Sequence, residues 1–153
     1  MLIVAPTEGY DSLVSLEDAA AYMEAYGHAW PETAEQDGDD GPISPNPADV
    51  RAAEVALRKG TQYLLSAYSI EPEHLDPVHP KVKAACCEAA VRALKGDLMA
   101  DTDGRVVVEE TIDVITTRYA EGQQAGAMRF PVIDALLKGL TEGSAYSVKL
   151  VRG

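Results

Sequence analysis

No lysine or arginine precedes Arg51. Residues 1–50 hold eleven Asp or Glu and carry −11, whereas residues 51–153 hold fourteen acids and thirteen bases and are near neutral. Nucleic-acid binding draws much of its affinity from Lys and Arg displacing counterions at phosphates, so a net charge of −12 argues against a dedicated DNA binder. Contact with DNA is still open to it, because an acidic wall repels a passing duplex and lets it slide. No run of eighteen apolar residues exists, which excludes a membrane-spanning helix by pattern. The opening MLIVAP lacks the basic start and the length of a secretory signal, so the chain is expected to be made in the cytoplasm. Cysteine is scarce: Cys86 and Cys87 are adjacent in a helical pattern, where their side chains point about 100° apart, and core packing is expected rather than redox or metal chemistry. There is no Gly-rich phosphate loop, no nucleophile elbow and no paired metal-ligand motif. An enzyme, a cofactor and a bound metal are therefore not expected. His28, His74 and His79 share no ligand spacing, and a solvent-exposed place is expected for each.

What is present is a core pattern. The 153 residues are 46% hydrophobic, enough for one domain with a buried core. The stretch His79 to Leu98 organises it: Val82, Ala85, Cys86, Ala89, Ala90, Ala93, Leu94 and Leu98 recur at spacings of three and four, while Lys81, Lys83, Glu88, Arg92 and Lys95 fall mostly elsewhere. Pro80 suits the first turn of this central helix, and Gly96 marks its end. Its alanines keep the surface smooth enough for another helix to approach closely.

Along the chain, residues 1–14 read as an extended arm or short strand. A first helix starts at the Ser15 cap and runs to about Tyr26, with Leu16, Ala19, Ala20, Met23 and Tyr26 as its apolar stripe and Gly27 as its stop. Residues 31–47 are rich in Pro, Gly and acids and read as an acidic loop; the Asp37, Asp39, Asp40 spacing does not fit an EF-hand. Asn46 and Pro47 open a second long helix to about Tyr68, striped by Val50, Ala53, Leu57, Thr61, Leu64 and Tyr68. Gly60 within it either permits close packing or marks a bend. A turn at 101–104 precedes a Val-, Ile- and Thr-rich β segment, Arg105 to Tyr119. A short last helix, Pro131 to about Leu140, uses Val132, Ile133, Leu136, Leu137 and Leu140, and the alternating SAYSVKLVRG of residues 144–153 reads as an extended tail able to pair with a sheet edge. The seven tyrosines could stack on bases, but without interleaved Lys or Arg they are expected in the core and at interfaces. The fold class expected from the pattern is mainly α, four helices with a short β segment at about 105–119 and an extended C-terminal tail.

The order of phrases is distinctive. YDSLVSLEDAAAYMEAYGHAW, ALRKGTQYLLSAY, VKAACCEAAVRALKGDL, FPVIDALLKGL and VKLVRG occur in that order, and together they resemble the head–tail adaptor (connector) proteins of tailed bacteriophages, a family part of which carries a DnaT-like single-stranded-DNA-binding label. The resemblance spans most of the chain except the acidic loop and residues 69–77. It implies a small four-helix bundle as a single adaptor domain, 1–153, in the virion at the head–tail junction. There it would form a ring of twelve neighbouring subunits under the portal protein, support the next neck or tail-completion protein, and let packaged DNA pass through the channel without specific binding; no membrane is involved. The residues that the resemblance implies for function are interface residues: Val148, Lys149, Leu150, Val151 and Arg152 in the docking tail, and Val106, Val108, Ile112 and Val114 in the β segment. The alternative reading is a single-stranded-DNA-binding protein acting in phage replication.

Overall fold

The computed structural model describes residues 1–98, 109–112, 115–118 and 130–142. It is mainly helical, with four α-helices and two small antiparallel hairpins. The elements are α1 (Leu16–Tyr26), β1 (Gln36–Gly38), β2 (Gly41–Ile43), α2 (Pro47–Ala67), α3 (Pro80–Lys95), β3 (Glu109–Ile112), β4 (Ile115–Arg118) and α4 (Pro131–Leu137). The described residues fall into two compact units, 1–98 with 130–142 as one and the β3–β4 hairpin as the other.

Within the larger unit, α3 is the element that α1, α2 and α4 all touch. Its N-cap His79 accepts the Lys81 N–H on Nδ1 at 3.1 Å, Pro80 takes the first helical position, and Gly96 caps the end. Val82, Ala85, Cys86, Cys87, Ala89, Ala90 and Val91 are buried. Their small size permits the close crossing with α2: a Cβ placed on Gly60 would stand 3.0 Å from the Cys86 carbonyl oxygen and 3.1 Å from the Ala90 nitrogen. Gly60 is therefore a close-packing glycine within the unbroken helix Pro47–Ala67. Leu57, Leu64, Met23, Ile133 and Leu137 fill the spaces around the alanines, each contributing roughly 1.5–3 kcal/mol of burial.

The N-terminal segment differs from the extended arm or short strand that its sequence suggests, having only an isolated bridge between Val4 and Ser12. Residues 1–14 fold back on themselves, Ala5 donating to the Ser12 carbonyl at 2.9 Å and Asp11 to that of Ile3 at 2.9 Å. Ser12, Leu13 and Val14 are buried, and the Leu13 N–H donates to Thr61 Oγ1 of α2 at 3.0 Å. A buried donor needs a partner, and the mid-helix threonine supplies it. Arg58 holds the same segment from outside, through Nε to Asp11 at 2.6 Å and Nη2 to the Met1 carbonyl at 2.8 Å.

Other differences are local. The acidic stretch contains the β1–β2 hairpin, in register Gln36 with Ile43 and Gly38 with Gly41; Gly38 and Gly41 supply the tight reversal that a period-based reading does not detect. Tyr26 and Leu94, assigned to apolar stripes, are exposed at 67% and 38%, and Val132 is exposed too, because each is at the edge or end of its helix's packed face. Helix α4 stops at Leu137, short of Leu140, where Gly139 takes φ 83°. Beyond it the chain pairs back on the segment after α2, Glu71 donating to the Leu140 carbonyl at 3.0 Å and Glu142 to that of Ser69 at 2.7 Å. No described helix is long and apolar enough to cross a membrane.

Candidate interaction surfaces

The polar centre of the larger unit lies where α1 meets α3. Ser15 Oγ accepts the Asp18 N–H at 3.1 Å and starts α1, with Glu17 and Asp18 favourably placed at the positive end of its dipole. At its other end Gly27 takes φ 68°, and the His28 N–H returns to the Met23 carbonyl at 2.9 Å. That left-handed turn brings the His28 ring back beside Tyr22, 6.3 Å between centroids, while Tyr26 stacks on Tyr22 at 4.4 Å.

Tyr22 and His28 then meet Glu88 of α3. Glu88 is 6% exposed, contrary to its expected place on the polar side of the helix. Its Oε1 accepts from the Tyr22 hydroxyl at 3.0 Å and is 3.0 Å from His28 Nε2, and its Oε2 accepts from Arg92 Nη1 at 2.6 Å. Arg92 in turn lies over the Phe130 ring at 5.2 Å. Burial works against the Glu88 charge, but the hydrogen bonds from Arg92, His28 and Tyr22 outweigh it and hold the carboxyl below its ordinary range. Desolvation and the Glu88 bond push the Tyr22 phenol above its usual value. The arrangement keeps an ionised carboxylate inside the fold with its acceptor sites occupied, the condition under which a buried charge is tolerated.

The histidines correct the expectation of solvent exposure. His28 is 29% exposed and engaged by Glu88, His79 caps α3, and His74 is 19% exposed with Nε2 3.6 Å from both Glu71 and Glu73. Glu71, Glu73 and His74 are the one group of described residues close enough to hold a metal, with ligand atoms within 4.8 Å of one another. The cysteines are buried free thiols, as the sequence suggests. Burial pushes Cys86 up to about 11, the Thr61 hydroxyl 3.4 Å from its sulfur opposing the rise only in part.

Beside the Glu88 centre, α1 and the first turns of α3 enclose an open groove of about 400 Å³. Val14, Val78, Pro80 and Cys87 make its apolar lining, and Asp18 and Lys83, joined at 2.9 Å, stand among the polar ones.

Of the interface residues inferred from sequence, Ile112 lies in β3 opposite Ile115, in a hairpin that also pairs Glu109 with Arg118. Val106, Val108 and Val114, and the tail residues Val148, Lys149, Leu150, Val151 and Arg152, lie outside the described residues. The Glu88 cluster escaped the sequence reading. Its one sequence signal is the i,i+4 spacing of Glu88 and Arg92, while Tyr22 and His28 come from another element.

Residues 72–153, more than half of the chain, match the protein family described as "Putative DnaT-like ssDNA binding protein". The chain belongs to this family. No curated protein and no solved structure matches it. The DnaT-like match contains α3, Glu88, Arg92 and α4, and the partners Tyr22, His28 and Thr61 come from the residues before it. The family's segment thus completes its core with helices supplied by the first half of the chain.

Proposed function

We propose that this chain is a structural protein of a tailed-phage neck. Copies form a ring under the portal, extend the DNA channel and join the capsid to the next neck or tail-completion protein, with the four helices as the bundle body of each subunit. The observation that carries this reading is charge: −12 overall, with eleven acids and no Lys or Arg before Arg51. That distribution suits a channel wall that DNA passes without adhering, and it removes the cationic contribution on which nonspecific binding depends. The tail residues Val148 to Arg152 carry two cations among aliphatics and would dock on the portal, with the segment Val106 to Tyr119 as a second contact. Many copies turn weak single contacts into a durable joint.

Negative-stain imaging of the protein mixed with portal tests this. Rings are expected on the portal with the full chain and none after deletion of Ser144 to Gly153, while the helical circular dichroism of the deletion variant is kept. Portal complexes that survive the deletion would place the attachment elsewhere, and failure of the full chain to bind portal would overturn the reading.

The family description supports single-stranded-DNA binding as a second reading, and on that reading the chain would act in phage replication. Fluorescence anisotropy with labelled single-stranded DNA at low salt separates the two. Micromolar affinity that weakens as salt is added favours the second.

A further inference from the structure

The outer face of α2 is chemically unlike the rest of the first half of the chain. Arg51, Val55, Arg58, Gln62 and Leu65 recur at spacings of four, three, four and three, so they form one stripe, opposite the buried Ala53, Leu57, Gly60 and Leu64. Val55 is 42% and Leu65 40% exposed. Lys59 flanks the stripe, 48% exposed, and its ion pair among the described residues is with the exposed Asp97 at 3.7 Å. Arg51 has no ion-pair partner among the described residues, and Glu54, one turn further along α2, is engaged by Arg58 and the N-terminus. A chain of net −12 therefore shows a face of cations and aliphatics.

The solvent side of α1 is its complement. Glu17, Ala21 and Glu24 share one exposed stripe, and α1 contains no Lys or Arg. The spacings are close: Glu17 and Glu24 are seven residues apart and Arg51 and Lys59 eight, about 10 and about 12 Å along their helices, with Ala21 and Val55 between them. The two stripes are on separate helices, which meet α3 at different places. Asp18 and Tyr22 of α1 reach Lys83 and Glu88, whereas Gly60 of α2 packs on Cys86 and Ala90.

We propose that the α2 stripe of one copy docks on the α1 stripe of a second copy, head to tail. Arg51 and Lys59 meet Glu17 and Glu24, and Val55 between them packs on Ala21. Charge complementarity selects this occupant over nucleic acid. Phosphates would use the cations and leave Val55 in water, and Arg58 is already committed to Asp11 at 2.6 Å. A contact between two different patches leaves one of each free on every copy, so it propagates and closes into a ring when the rotation allows. The inference rests on the ring reading above and names the faces that would meet.

Sedimentation velocity of the full chain over a rising concentration series reads the contact without portal. Concentration-dependent association is expected for the native chain. The variants R51E/K59E and E17K/E24K should each weaken it roughly tenfold or more, since two favourable pairs become repulsive. K81E/K138E makes the same change in net charge as R51E/K59E on exposed residues outside both stripes and should weaken association far less. An equimolar mixture of R51E/K59E with E17K/E24K should restore association, because the reversed faces match again. Circular dichroism shows that each variant is folded. Native chain that stays monomeric throughout overturns the proposal, as does an unrestored mixture, or an R51E/K59E variant that loses single-stranded-DNA binding rather than self-association. Association without portal binding would sink the neck reading and leave this contact standing; portal rings that tolerate R51E/K59E would do the reverse.

Discussion

Arg92 Nη1 donates to Glu88 twice, to its carboxylate at 2.6 Å and to its main-chain carbonyl at 2.7 Å. One cation, a single turn further along α3, thus neutralises the buried acid and braces the helix that carries it. The pair is 8% and 28% exposed at the side chains, so it belongs with buried rather than surface ion pairs.

Replacing Arg92 by alanine is therefore expected to cost about 3 kcal/mol, the lower end for breaking a buried pair, because an uncompensated carboxylate stays behind. Urea unfolding followed by circular dichroism measures it. R92A and E88L together should cost less than R92A alone, since the double change leaves no buried charge.

The same carboxylate gives an acid limb to stability. Its folded value is depressed below the unfolded one of about 4.3. Its contribution is therefore complete above the unfolded value and is lost as pH falls through the folded one. The stability difference between the native chain and E88Q should be flat above about pH 5 and shrink below about pH 4. A difference that stays constant to low pH would show that Glu88 is not the titrating group.

Gly60→Ala tests the helix crossing. Alanine is favoured over glycine in a helix by roughly 1 kcal/mol, so an exposed site would gain stability. Here the new methyl meets backbone atoms of α3 at 3.0 and 3.1 Å, which cannot turn aside as a side chain can. A net loss of about 1–3 kcal/mol is expected, read as a fall in the thermal midpoint.

The thiols give a fourth expectation. Cys86 is fully buried and pushed up to about 11, and Cys87 is raised by the same desolvation. At mildly alkaline pH neither should react with a disulfide reagent in the folded protein, and both should titrate rapidly in denaturant. Rapid reaction of one thiol without denaturant would show that the groove beside Cys87 opens.

Much of the helical frame was legible in the sequence. Ser15, Asn46 and Pro80 mark helix starts, and Gly27 and Gly96 mark ends, because capping is a local property. Period alone placed Ala85, Cys86, Ala89 and Ala90 in the core, where the structure has them. What period could not supply was long-range pairing. Glu88 has the charge of a surface residue, and its burial is decided by Tyr22 and His28, sixty or more positions away. Leu13 and Val14 precede any regular element, so no repeating pattern announces that they belong to the core. The close approach at Gly60 was open between two readings until the position of α3 was known.

No residue from 31 to 52 is buried, and the β1–β2 hairpin leaves and rejoins the fold within that span. The core is therefore indifferent to how many residues lie between Trp30 and the Asn46 cap of α2, apart from the slowly rising entropy of closing a longer loop. Relatives can lengthen or shorten the chain here without repacking a helix. The same indifference makes the turn at Asp39 and Asp40 the place to graft a fluorophore or an epitope when the protein has to be followed without being disturbed.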